Sequence, residues 1–297
     1  MKKMHGVITA MVTPFTGDDQ VDVKTLKAYT DYLIGKSVHC LYPAGTTGEM
    51  LKMSAAERKL VAETVVRQAA GRATVYIHAG AMTTKETVEL AKHAHSIGAD
   101  GIGVVTPQFF CVNDREMEEF FVAVSQSVPD DFPVYAYCIP QCAANDLRPE
   151  IIEKILKRTK NIVGVKYSYP DFLRVKNYLL CNNGGFSVVV GTDRLFLAGL
   201  VMGCDGTVSG CSNADPSKFV ETYQKFKAGD LEGARAAQAL ASELCEITGN
   251  GANMAIFKYA LERHGLPSAR MRAPALDLTD EEKKALAAKL EVYERKL

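Results

Sequence analysis

Val38-His39-Cys40-Leu41-Tyr42-Pro43 is a short apolar run ended by proline, and Gly45-Thr46-Thr47-Gly48-Glu49 follows it almost at once. The run has the length and character of a buried strand, and the glycine–threonine stretch is a tight loop. Ser54 with Glu57 then forms a capping box, the hydroxyl taking an orphan amide while the carboxylate reaches back. The helical pattern that follows stops at Gly71, as helices do at a C-terminal glycine. Strand, loop and helix make one βα unit.

The unit recurs in both directions along the chain. A strand-like run lies upstream at 6–13, and others lie downstream at 74–79, 101–106, 133–139, 162–168, 187–192 and 207–211. Thr83 with Glu86 and Asn113 with Glu116 repeat the capping box, Pro149 and Pro216 suit first helical turns, and Gly35 and Gly98 are further helix stops. Eight strands, each followed by a helix, predict a parallel (β/α)8 barrel of the α/β class. The competing doubly wound sheet would carry a glycine-rich dinucleotide loop after its first strand, and Thr13-Pro14-Phe15 is nothing like one. Residues 218–227 read as the closing helix. Patterns at 230–248, 253–264 and 279–295 then read as a helical appendage, with Thr279 and Glu282 as a last capping box and Pro267 and Pro274 breaking the chain before it. No linker intervenes, so 1–297 reads as one domain, with the barrel in 1–228 and C-terminal helices in 229–297.

Composition fits that size. The 297 residues are 47% apolar and 24% charged, enough to bury a large core. Lys plus Arg and Asp plus Glu are 35 each, so a neutral chain offers no electrostatic footprint for nucleic acid or an anionic membrane. Of the eight cysteines, Cys40, Cys138, Cys204 and Cys211 sit among apolar residues, and no C-x-x-C pair occurs. Cys138 with Cys142 has no second pair to complete a zinc motif, so reduced thiols and a cytoplasmic location are expected. Lys2 and Lys3 precede an apolar run too short for a signal peptide, and 195–204 is too short to span a bilayer.

Barrel active sites gather at the C-terminal ends of the strands. Those ends carry Thr13, the Gly45–Glu49 loop, Thr106-Pro107, Tyr137, Lys166, Asp193 and Ser209. They hold neither a cluster of acids nor a His-x-His, so no metal is expected; His93 and His95 fall on different faces of a helix. Lys166 ends the apolar strand Ile162-Val163-Gly164-Val165-Lys166. Alternation places it on one face with Gly164, whose missing side chain leaves room beside it. Burial disfavours an ammonium and frees the amine to attack a ketone. The alternative is a strand-end lysine that reaches solvent or pairs with an acid. Tyr137 ends the preceding strand and can move protons beside such an amine, or simply pack in the core. The Gly45–Gly48 loop offers two hydroxyls and converging amides suited to a carboxylate, or is an ordinary turn. Asp18, Asp19 and the charged stretch 280–284 read as solvated surface.

In order along the chain, Thr9-Ala10-Met11-Val12-Thr13-Pro14-Phe15, Gly45-Thr46-Thr47-Gly48-Glu49, Tyr137-Cys138-Ile139-Pro140, Gly164-Val165-Lys166 and Asp205-Gly206-Thr207-Val208-Ser209 resemble the dihydrodipicolinate synthase/N-acetylneuraminate lyase family. These are class I aldolases and lyases that form or use pyruvate on a (β/α)8 barrel. The resemblance implies that Lys166 is the Schiff-base lysine and Tyr137 the proton-transfer tyrosine. It makes Thr46 the hydroxyl that passes those protons, Thr47 the holder of the pyruvyl carboxylate, and Val208 a backbone contact to pyruvate. It also implies no cofactor, a 2-oxo acid substrate and a homotetramer.

Departures from the family bear on the substrate. The loop tyrosine that synthases lend to a neighbouring subunit is replaced by Phe109-Phe110, and Cys142 stands where they carry an arginine for the second substrate. Sialic acid lyases place an Asp-Glu pair after strand seven and a serine after strand eight; this chain has Asp193-Arg194 and Gly210. Asp193 and Arg194 thus become candidates for the substrate's far end, where an arginine suits an acidic group. The expectation is an aldolase or dehydratase acting on another 2-oxo acid, such as a 2-keto-3-deoxy sugar acid. Dihydrodipicolinate synthase and N-acetylneuraminate lyase activities are the alternatives within the class. Outside it stand a non-catalytic small-molecule-binding barrel and a phosphate-binding barrel using Gly203-Cys204-Asp205-Gly206, although that run precedes the eighth strand.

Overall fold

The computed structural model describes residues 1–267 and 269–297. Its strands are β1 (Gly6–Ala10), β2 (Cys40–Tyr42), β3 (Thr74–His78), β4 (Gly101–Val105), β5 (Val134–Cys138), β6 (Ile162–Tyr167), β7 (Ser187–Val190) and β8 (Gly206–Ser209). They pair in parallel in chain order, and β8 returns to β1 to close the barrel. The helices are α1 (Val23–Gly35), α2 (Ala55–Ala69), α3 (Thr84–Ser96), α4 (Asp114–Ser125), the single turn α5 (Pro140–Ala143), α6 (Pro149–Leu156), α7 (Phe172–Leu180), α8 (Phe196–Met202), α9 (Ser217–Lys227), α10 (Leu231–Ile247), α11 (Met254–Arg263) and α12 (Asp280–Glu294). The (β/α)8 barrel with C-terminal helices read from the sequence is therefore the fold. No helix among the described residues is long and apolar enough to cross a membrane.

Observed strands are shorter than the apolar runs because pairing stops before the extended backbone does. β1 ends at Ala10, and the Val12 amide beyond it donates to Asn213 Oδ1 (2.9 Å) instead of to a strand. Ser54, Asn113 and Thr279 make complete capping boxes. Thr83 makes only half of one, accepting from the Glu86 amide. Gly35 does not stop its helix either; it is the last residue of α1, and Ser37 takes the left-handed turn (φ 61°).

The barrel interior is filled by phenol rings. Tyr42, Tyr76 and Tyr135 project inward and pack with Ile8, Cys40, Val189 and Val208. Glycines on facing strands admit these rings: a Cβ on Gly103 would collide with the Tyr42 ring, 2.7 Å from its Cζ. The space at Gly164 was expected to serve Lys166. It is taken by Tyr135 instead, whose ring would lie 2.5 Å from a Cβ there. Lys166 thus stands above a packed floor. The C-terminal helices complete the upper wall, with α10 against the turn Asp193–Leu195 and α11 against the turn Cys211–Asn213. All eight cysteines are free thiols, and only Cys111 and Cys142 are exposed.

Candidate active site

Register puts Tyr137 of β5 directly beside Lys166 of β6, with Val189 of β7 on the other side. Lys166 is 5% exposed, so it does not reach solvent. Its Nζ lies 3.7 Å from the centre of the Tyr137 ring and 5.1 Å from that of Tyr42. Among the described residues no carboxylate forms an ion pair with it, unlike Lys258, which meets Glu49 at 2.6 Å. Both bland alternatives for Lys166 therefore fall away. Aromatic faces attract an ammonium through their quadrupole but cannot neutralise it, which leaves the amine without a fixed counter-ion.

The Tyr137 hydroxyl faces Thr46 Oγ1 at 3.4 Å, at the long edge of a hydrogen bond. Thr46 and Thr47 sit in the tight β2–α2 loop that Glu49 closes in a left-handed conformation (φ 61°). The Glu49 amide donates back to the Thr46 carbonyl (3.0 Å), and the Thr13 hydroxyl pins the Gly48 carbonyl (2.8 Å). Lys258 of α11 and Lys52 (2.9 Å) both hold the Glu49 carboxylate, so the loop is tied to the C-terminal helices.

Thr46, Thr47, Tyr137, Lys166, Val208, Asp193 and Arg194 line one cavity of about 530 Å³. Val208 is buried in β8. Asp193 turns inward, accepting from the Cys211 amide (3.0 Å) and, at 3.5 Å, from the Thr207 hydroxyl. Burial raises its pKa, against the hydrogen bond from the Cys211 amide and the charge of Lys166. Arg194 is exposed at the rim and makes no ion pair among the described residues.

Sequence reasoning missed other parts of the wall. Gln141, Ser168, Thr192 and Asn250 add polar groups, but they lie in loops and short turns with no spacing to connect them. His78, the last residue of β3, sets its ring edge-on to Tyr137 and to Tyr42, each at 6.0 Å between centres. Arg58 donates to the His78 carbonyl (2.9 Å) and to its Nδ1 (3.3 Å). Burial, with the charges of Arg58 and Lys166, holds the His78 pKa well below the usual range, so a neutral imidazole backs Tyr137. An inward-facing histidine at a strand end was the available signal. His93 has an outside role, meeting Glu63 at 3.0 Å. Asp205 enters β8 from the opposite end of the barrel and accepts from the Ser187 hydroxyl (2.6 Å) and the Val188 amide (3.2 Å). The Gly203–Gly206 run is therefore no phosphate loop at the active rim.

A closed parallel barrel with a buried lysine and a tyrosine on neighbouring strands, both facing an upper cavity, has the build of a barrel enzyme. The model of the dihydrodipicolinate synthetase family matches residues 3–293, and the chain belongs to that family of lyases and aldolases. It is 35% identical to a 4-hydroxy-tetrahydrodipicolinate synthase of Sorangium cellulosum, over 91% of this chain and 90% of that protein. It is 31% identical to a protein of Escherichia coli described as a probable 2-dehydro-3-deoxy-D-pentonate aldolase, over 96% and 95% of the two chains. The crystal structure of the E. coli prophage protein YagE in complex with pyruvate superposes with a TM-score of 0.92 at 27% identity, covering 98% of this chain and 99% of that one.

Proposed function

We propose that the protein is a Schiff-base aldolase that makes or breaks a C–C bond adjacent to pyruvate, with a 2-keto-3-deoxy sugar acid as substrate. The observation that carries this reading is Lys166, buried without a carboxylate beside the Tyr137–Thr46 pair. Its amine attacks the ketone carbon, and the carbinolamine loses water as Tyr137 and Thr46 supply and remove protons. Thr47 and the loop amides hold the carboxylate. The iminium then accepts the electron pair of the C3–C4 bond while Tyr137 takes the proton of the C4 hydroxyl. An aldehyde leaves, the enamine is protonated at C3, and water releases pyruvate from Lys166. No step asks for a metal, so a chelator does not lower turnover.

The sugar-acid assignment is supported by the polar wall of Gln141, Ser168, Thr192 and Asn250, and by the likeness to the pentonate aldolase. The Sorangium relative favours a second reading, dihydrodipicolinate synthesis. Phe109, Phe110 and Cys142 speak against it, because none supplies the phenol or guanidinium that the synthases use there. A panel of 2-keto-3-deoxy acids assayed for released pyruvate separates the two.

Borohydride added with pyruvate is expected to leave a stable adduct on Lys166, and none in Lys166→Ala. Tyr137→Phe retains trapping but loses about 10²- to 10⁴-fold in turnover, the usual worth of a general acid–base group. An adduct mapped to another lysine overturns the assignment.

A further inference from the structure

Asp193, Cys211 and Cys245 come from three different elements and meet on one wall of the cavity. Asp193 opens the turn after β7, Cys211 opens the turn after β8, and Cys245 lies in the last turn of α10. The carboxylate oxygen and the two sulfurs all lie within 4.8 Å of one another. All three residues line the same cavity as Lys166, and both cysteines are free thiols. The carboxylate is fixed in place by the Cys211 amide at 3.0 Å.

We propose that Asp193, Cys211 and Cys245 form a binding site for a thiophilic divalent cation, zinc foremost, with its fourth position open toward the cavity. Two sulfurs and one oxygen with an open position is a donor set that suits tetrahedral zinc. Magnesium and calcium require six or more oxygens and find no such shell here. In a tetrahedral site with metal–sulfur bonds of ~2.3 Å, donor atoms stand about 3.8 Å apart, so a small inward turn of the thiols closes the present spacing. Binding replaces two S–H bonds by two metal–sulfur bonds: one cation, two thiols and one carboxylate give a site of net charge −1 and two protons in solution.

The ion occupies the wall beside Arg194, where the far part of a substrate rests. Zinc therefore acts as a brake on the enzyme rather than as its cofactor. The braking role rests on the proposed Lys166 chemistry; the binding does not.

The test uses the full-length reduced protein after treatment with a chelator. Cobalt(II) is expected to give thiolate charge-transfer absorption with tetrahedral ligand-field bands at one equivalent. Zinc, measured against a chromophoric chelator, is expected to displace the cobalt and release two protons per ion. Cys245→Ala and Cys245→Ser both lose more than about 100-fold in zinc affinity, beyond what loss of a supporting hydrogen bond produces. Both still trap pyruvate on Lys166 in metal-free buffer, which shows that they fold. Absence of the thiolate band overturns the site, as does zinc affinity that survives both Cys245 variants. A native chain lighter by two hydrogens, the mark of a Cys211–Cys245 disulfide, overturns it as well. Zinc that binds as described without lowering kcat/KM for the 2-keto-3-deoxy acid overturns the brake. Failure of trapping in metal-free wild-type protein strikes the aldolase reading and leaves the cobalt result untouched.

Discussion

Two lysines are buried in this protein, and their surroundings give them different chemistry. Lys258 is 2% exposed and lies 2.6 Å from Glu49; burial lowers its pKa, and the Glu49 charge opposes that shift. Lys166 has aromatic faces in place of a carboxylate. Lys166 was legible because it ends an apolar strand, and Tyr137 because a sequential barrel must place it alongside. His78 and Arg58 were not, because their partnership is made across elements and leaves no spacing to read. Arg194 is exposed at the cavity rim and makes no ion pair among the described residues. We expect Arg194→Ala to lower kcat/KM for a substrate with an acidic far end by about 1.5–3 kcal/mol, about 10- to 150-fold, as for a lost charged hydrogen bond. Neutral polyol substrates and the rate of pyruvate trapping should be unaffected. Equal losses on acidic and neutral substrates would show a disturbed fold and remove the specificity role.

Among the elements, the β2–α2 loop and α11 depend on each other although some two hundred residues of sequence lie between them. The link is the buried Glu49–Lys258 pair, with Lys258 also donating to the Arg270 carbonyl (2.6 Å). Lys258→Met leaves the Glu49 carboxylate buried with only Lys52 beside it. Unfolding free energy from urea titration should fall by about 3 kcal/mol, the lower end for breaking a buried pair, because Lys52 remains. Adding Glu49→Gln should recover most of the loss by removing the stranded charge. If the double variant is no more stable than the single one, packing of the lysine stem and not its charge joins the elements. Strands and helices were readable because periods of 2 and 3.6 residues are local properties of the chain. The half-formed Thr83 cap, the displaced helix stop after Gly35 and the Tyr135 ring over Gly164 were not. Each is decided by a neighbour that the local pattern does not contain.

At the scale of the whole molecule, the surface carries an apolar feature that a lone chain does not explain. Phe109 and Phe110 are 77% and 71% exposed and meet edge-on at 5.0 Å. They do not pack beneath their own loop. Asn145 holds that loop out, donating to the carbonyls of Pro107 (2.9 Å) and Phe110 (2.8 Å) while accepting from the Val112 amide (2.9 Å). Phe109 moreover sits at φ 69°, a conformation that costs a bulky residue about 1–3 kcal/mol unless its surroundings offset it. Beside the loop is a second recess of about 260 Å³ whose wall includes Met50, Val105, Ile139 and Met254, with Leu51 66% exposed at its edge. Burying each phenylalanine in a partner stabilises by about 1.5–3 kcal/mol, enough to hold the strained turn. We therefore expect a homo-oligomer, a tetramer by family resemblance, with a light-scattering mass of four times the 32.4 kDa chain at micromolar concentration. Phe109→Gly separates this from a strained monomer, since glycine relieves the backbone and removes the ring together. In an oligomer held by these rings it lowers the mass and the melting temperature; in a monomer it raises the melting temperature and leaves the mass at that of one chain.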